Sequence, residues 1–255
     1  MTNRFTELET IGPKLPCDSD IPNQLCIPQW LDKDKVTRAQ YLAKKYFFGI
    51  CFAHLSGLVL LVHIKSILVP LLSTGNSRST AHLFSRYFRT LLHVKSWYDG
   101  DIWDINSKSH QSIMQVRKMH SKVSKSLNNC KGVEMYDNKS LSQFDMMITQ
   151  FAFIGFIALY PRQVGFSESA KDLDALMHFW KGIGYLLGIE DKYNLCNGSV
   201  DETKELCQLI LEKQLKKSII ETPVKESIDM SRGIVNSIKL YIHHKLNTNI
   251  EVVPV

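Results

Sequence analysis

Residues 141–159, LSQFDMMITQFAFIGFIAL, are apolar on nearly every side of the helix they would form. A helix that is hydrophobic all round has no face to offer water, so it must lie at the centre of a core with other elements packed about it. Its few polar residues then become informative, because a buried polar side chain needs a hydrogen-bond partner. Ser142 and Asp145 stand at capping-box spacing and place the start of the helix, with the carboxylate at its positive end. Thr149 and Gln150 lie deeper and either form a polar network or line a pocket. Tyr160-Pro161 ends the run.

The segments around this helix also read as helical. Between Thr80 and Val94, Leu83, Phe84, Tyr87, Leu91 and Val94 make one apolar stripe, while His82, Arg86, Arg89 and His93 make a basic one. Such a basic stripe is either a solvated face or an anion site, for which the acid groups of a cofactor are one candidate. Ser107 to Leu127 forms a further helix, whose seam of Ile113, Val116, Val123 and Leu127 is completed by His120. Leu173 to Ile189 is amphipathic. Its GIGYLLG string at residues 182–188 is not a dinucleotide fingerprint: the third glycine is one place late, and the context is helix rather than strand-to-helix.

Tyr46 to Val62 is 17 residues of mostly apolar character, at the lower edge of spanning length. It carries His54 and reads as a core helix. Pro70 marks a kink or an end, and residues 73–77 a turn. Residues 1–29 are polar and interrupted by Pro13, Pro16, Pro22 and Pro28, which predicts an extended arm. Two helices split near Pro223 fill residues 201–246, and 246–255 form a tail. Nothing repeats at a fixed period. The prediction is an all-α chain with one helical domain over residues 30–245 and about eight helices.

The net charge of +6, from 31 basic and 25 acidic residues, is spread thinly and argues against nucleic acid as a partner. Six cysteines without a CxxC pair argue against zinc-ribbon and thioredoxin chemistry and fit free thiols in a reducing compartment. The first twenty residues hold no apolar core of signal-peptide length. The expected location is the cytoplasm or the cytosolic face of an internal membrane.

For chemistry, the most informative string is VRKMHSKV, residues 116–123. An imidazole on a buried seam is either hydrogen-bonded or bound to a ligand. Arg117 precedes His120 by about one turn, and Ser121 follows Arg117 by another. The bland reading is a satisfied core histidine beside a snorkelling arginine. His178 reads more readily as a supporting or surface histidine than as a ligand, and His243-His244 diverge on a helix.

Five strings in order, TGNSRSTAHLFSRYFRT, HVKSWYDGDIWD, VRKMHSKV, SQFDMMITQFAFIGF and HFWKGIGYLLGIEDKYNLC, resemble the ER-bound oxygenase MpaB / rubber oxygenase catalytic-domain family, most of all an animal, insect-like branch. The resemblance is strongest over residues 45–196. It implies a globin-related helical core around haem b and O2-dependent cleavage of an unsaturated hydrocarbon. It places Arg117, His120 and Ser121 at the haem as catalytic residues. His120 is then the metal ligand or the residue facing it, with Arg86, Arg89, Asp145 and Gln150 as further candidates for holding the cofactor. Where the family carries its downstream ligand histidine, the nearest residue here is Asp145, between Gln143 and Gln150. Carboxylate and amide are weak axial ligands for haem iron.

The expected function is a haem-dependent oxidoreductase acting on an apolar lipid or isoprenoid, with O2 as co-substrate. Contact with a membrane surface stays open. The alternative is a catalytically degenerate family member that binds lipid or serves as a helical scaffold.

Overall fold

The computed structural model describes residues 2–17, 26–75, 77–129, 138–166 and 169–250. Among them are ten α-helices and no strand. They are α1 (Thr2–Ile11), α2 (Lys33–Lys45), α3 (Phe47–Leu61), α4 (Lys65–Ser73), α5 (Thr80–Asp99), α6 (Lys108–Asn128), α7 (Gln143–Leu159), α8 (Ala170–Leu186), α9 (Val200–Ile210) and α10 (Lys225–Ile250). A π-helical segment, Leu211–Glu221, continues α9.

The central position expected of residues 141–159 belongs to α7. Every residue from Gln143 to Gly155 except Thr149 is buried along it. It starts at a full capping box: the Ser142 hydroxyl accepts from the Asp145 amide at 3.1 Å, and the Asp145 carboxylate accepts from the Ser142 amide at 2.9 Å. Around it pack α3, α8 and α9, with α3 making the most extensive contact. That contact depends on Gly57, where a Cβ would lie 2.0 Å from the Ala152 carbonyl oxygen. On the outside, α2 lies along α8, while α5 is flanked by α6 and α10.

The amino-terminal region differs from the extended arm expected. Residues 2–11 form α1, which buries Phe5 and Leu8, and Arg4 donates to the Asn194 carbonyl at 3.1 Å. The prolines act only after it. Pro13 opens a 3-10 turn, and the following residues run beside the lead-in to α7, with Cys17 N–H donating to Leu141 O at 2.7 Å and Gln143 N–H to Leu15 O at 2.8 Å. Much of the remainder of that arm, residues 18–25, lies outside the described residues. At the other end, α10 continues to Ile250, into the segment expected to be a tail.

Tyr46 to Val62 is a core helix on one face, with Ile50, Ala53, His54, Gly57, Leu58 and Leu61 buried. Past Val62 the chain turns at His63 and Ile64 and restarts as α4. Pro70 lies inside α4. Its missing N–H leaves the carbonyl one turn earlier, on Ser66, without its helical partner.

Candidate active site

A cavity of about 310 Å3 opens between α4, α5, α6 and α7. This lies within the range for small-molecule sites. Its floor is aromatic and aliphatic, with Phe153 from α7, Trp180 from α8, Trp97 and Tyr87 from α5 and Leu58 and Leu61 from α3. Val116, Met119, His120 and Val123 of α6 form one wall, so the seam read from the sequence faces this space. The short α4 borders the cavity through Ser66, Ile67, Pro70 and Leu71, together with its C-cap Thr74.

His120 borders the cavity, and its Nδ1 is sealed from water with no hydrogen-bond partner. Burial pulls its pKa down to about 4, because the charged form would lose its hydration. The imidazole is therefore neutral at pH 7 and has a nitrogen to offer. Among the described residues lining the cavity, His120 is the one with a sealed polar atom left unpartnered, although the residue as a whole is only half-buried.

The other polar groups on this wall are engaged by the protein itself. Arg86 Nη1 donates to the Leu71 carbonyl at 2.9 Å and to Ser77 Oγ at 2.7 Å, while Nη2 donates to Thr74 Oγ1 at 2.9 Å. Asp145 belongs to the capping box, and burial pushes its carboxyl upward against the hydrogen bonds from Ser66 and Ser142. Gln150 is fully used: Nε2 donates to the Trp180 carbonyl at 2.9 Å and to Asn194 Oδ1 at 3.2 Å, and Oε1 accepts from the Leu195 amide at 3.0 Å. Gly184 makes room for this network, since a Cβ there would meet Gln150 Nε2 at 2.3 Å. His93, the other member of the basic stripe on the wall, pairs Nδ1 with Ser112 Oγ at 2.7 Å.

Not all of the residues singled out in the sequence come together. Arg117 and Ser121 line a separate outer groove with Met114, Lys118, Lys122 and Lys125, on the other side of α6 from the cavity. Arg117 Nη1 lies 3.4 Å from the Leu186 carbonyl. Helical geometry separates them: about the axis of α6, Arg117 and Ser121 are rotated to one side of His120, by about 60° and about 100°, while Val116, Met119 and Val123 are rotated to the other. Arg89 is exposed and caps its own turn through the Ser85 carbonyl at 3.1 Å. His178 Nε2 accepts from the Asp32 amide at 2.9 Å and so anchors the start of α2.

Behind the floor, His54 is enclosed by rings: it stacks on Tyr98 at 6.2 Å and meets Trp180 edge-on at 5.8 Å. Its Nε2 also lacks a partner, and burial lowers its pKa to about 3. Trp180 in turn donates from Nε1 to Tyr98 Oη at 2.8 Å. The sequence reading missed Tyr87, Trp97, Phe153 and Trp180 as cavity residues. One signal was present: Arg86, Thr90, His93 and Trp97 follow helical spacing, and this mixed stripe is the cavity face of α5. Among the described residues no three His, Cys, Asp or Glu side chains gather as metal ligands, so any metal centre here would need a preformed group carrying most of its own ligands.

A family model described as ER-bound oxygenase mpaB/B'/rubber oxygenase, catalytic domain, matches residues 47–230. The chain belongs to this family. The matched span includes every helix that bounds the cavity. A solved structure of latex clearing protein in the closed state is similar in fold, with a TM-score of 0.67 at 16% identity over 92% of this chain. This chain spans 64% of the length of that protein. No curated protein sequence matches it.

Proposed function

We propose that this member of the oxygenase family is a haem-dependent oxidoreductase acting on an apolar, unsaturated lipid or isoprenoid. The observation that carries the reading is His120: a neutral imidazole with an unpartnered buried nitrogen, on the wall of a cavity whose Arg86, His93, Asp145 and Gln150 are engaged by the protein itself. Haem fits the residues present through this one strong ligand, since iron takes the neutral form of imidazole. Bound there, haem supplies the iron that activates O2.

The protein's own groups would do the rest. Trp97, Phe153 and Trp180 exclude water and hold a hydrocarbon by contact alone, in a cavity with few polar atoms to satisfy. Arg86 keeps α4 over the site instead of meeting an acid group of the cofactor. Asp145 and Gln150 hold the start of α7 and its contact with α8, and take no ligand role. Arg117 and Ser121 belong to the outer groove and touch no substrate in this reading.

The engagement of Asp145 and Gln150 favours one other reading, a carrier of apolar molecules with no redox chemistry. Oxygen uptake by haem-loaded protein on addition of a long unsaturated hydrocarbon separates the two. The haem reading expects uptake, with loss in His120→Ala. Tight binding of the hydrocarbon without oxygen uptake, seen as a change in tryptophan fluorescence, would select the carrier.

A further inference from the structure

The corner between α2 and α3 has features that the cavity does not explain. The two helices meet at 93°, and neither is long and apolar enough to cross a bilayer. At this corner Phe48 is 86% exposed and Phe52 60%, with Phe47 and Tyr41 also open to solvent. Phe47 and Phe48 lie ring to ring at 5.5 Å. Exposed single apolar residues are ordinary, but aromatic side chains grouped at one convex corner mark an interaction surface.

Charge distinguishes this surface further. Residues 35–98 contain no aspartate or glutamate, while nine lysines and arginines lie within them, of which Lys35, Arg38 and Lys95 pair with Asp174, Asp172 and Asp99 outside the stretch. Among the described residues, half of the exposed large hydrophobic ones, eight of sixteen, belong to the same stretch. Lys44 and Lys45 end α2 beside the aromatic group, and the Lys45 ammonium lies 5.1 Å from the Tyr46 ring centre. The turn at residues 161–165 packs on Gly49, whose Cβ would meet the Val164 carbonyl oxygen at 2.1 Å. That turn adds exposed Arg162 to the same end of α3.

We propose that the α2–α3 corner seats this protein on an anionic lipid bilayer, with Phe47, Phe48 and Phe52 entering the acyl boundary and Lys44, Lys45 and Arg162 facing lipid phosphates. Amphipathic surfaces with aromatic residues on one side and cations at the edge bind membranes in this way, through apolar burial and attraction to anionic headgroups. The corner lies on the surface and does not span, because the inner face of α3 is committed to α7 through Ile50, Ala53, Gly57 and Leu58.

The test is sedimentation of the full chain with vesicles of phosphatidylcholine alone and of phosphatidylcholine with phosphatidylserine. Binding is expected to the mixed vesicles, weakening as salt is added. Phe48→Ser with Phe52→Ser, and separately Lys44→Glu with Lys45→Glu, should each lower the partition coefficient by about tenfold or more. These side chains are at the surface, so a thermal melt should remain close to that of the parent. Absence of vesicle binding by the parent, or binding indifferent to both double substitutions, would overturn the proposal. So would a concentration-dependent dimer that the phenylalanine substitutions abolish, which would assign the corner to a second copy of the chain. The experiment needs no haem, so its failure is distinct from failure of the haem reading.

Discussion

Arg86 Nη1 donates to the main-chain carbonyl of Leu71 at 2.9 Å, tying α5 to the last turn of α4. The same guanidinium reaches Thr74 and Ser77. This matters because α4 packs extensively against no single helix, although four of its residues and its C-cap, Thr74, border the cavity. Arg86→Ala should cost about 2–4 kcal/mol, since charged donors and their buried acceptors lose their partners. Hydrogen exchange should rise over residues 65–74 more than elsewhere. Arg89→Ala, at an exposed position, should change stability by no more than about 0.5 kcal/mol. Equal exchange in both variants would count against the latch.

Gln150→Leu should destabilise the fold by about 2–4 kcal/mol, because the Trp180 carbonyl, the Leu195 amide and Asn194 Oδ1 would each lose a bond in a dry interior. Thermal unfolding measures this. A melting temperature unchanged from the parent would mean that water or a side-chain shift can replace the network.

Gly57→Ala tests the α3–α7 contact. Its Cβ would lie 2.0 Å from a backbone oxygen that cannot rotate away, so the helices must separate. The expected cost is upwards of about 3 kcal/mol, at the severe end for overpacking. Denaturant unfolding checks it, and near-neutral behaviour would show that the helix pair can slide.

Acid should weaken the fold in a definite window. His54 and His120 fall from the ordinary 6.5 to about 3 and about 4, both through burial. The unfolded chain then binds protons that the folded chain refuses. Stability from these two groups is complete above pH 6.5 and declines as pH falls through about 4 for His120 and about 3 for His54. The buried Asp145 carboxyl works in the opposite sense, since its raised pKa favours the folded state at the acid end. Unfolding free energy measured from pH 7 to pH 4 should decline less steeply in His120→Leu than in the parent. Parallel curves would place His120 in water.

The centre of this fold was legible because composition leaves no choice: a run with no polar face, from Leu141 to Leu159, can only be interior. The capping box was equally legible, since Ser142 and Asp145 act over three residues. The helix α1 was not. Its buried face is two residues, Phe5 and Leu8, too short a stripe to outweigh the prolines that follow. The turn at His63 falls just past Val62, where the apolar run read as a core helix ends. At the site, periodicity could align His120 with Val116 and Val123. The same periodicity turns Arg117 and Ser121 to the other side of α6, and grouping them with His120 overlooked that rotation. Spacing could not show that Arg86 spends its donors on α4, because its partners come from a loop and helix end whose position depends on the whole fold.

The central claim is that His120 holds haem in the cavity, and the absorption spectrum of the purified protein after haem addition tests it most directly. The parent should develop an intense, saturable Soret band at one haem per chain. His120→Ala should lose that band while keeping its helical circular dichroism. A parent that never develops the band, or a His120→Ala variant with the same spectrum and stoichiometry, would contradict the assignment.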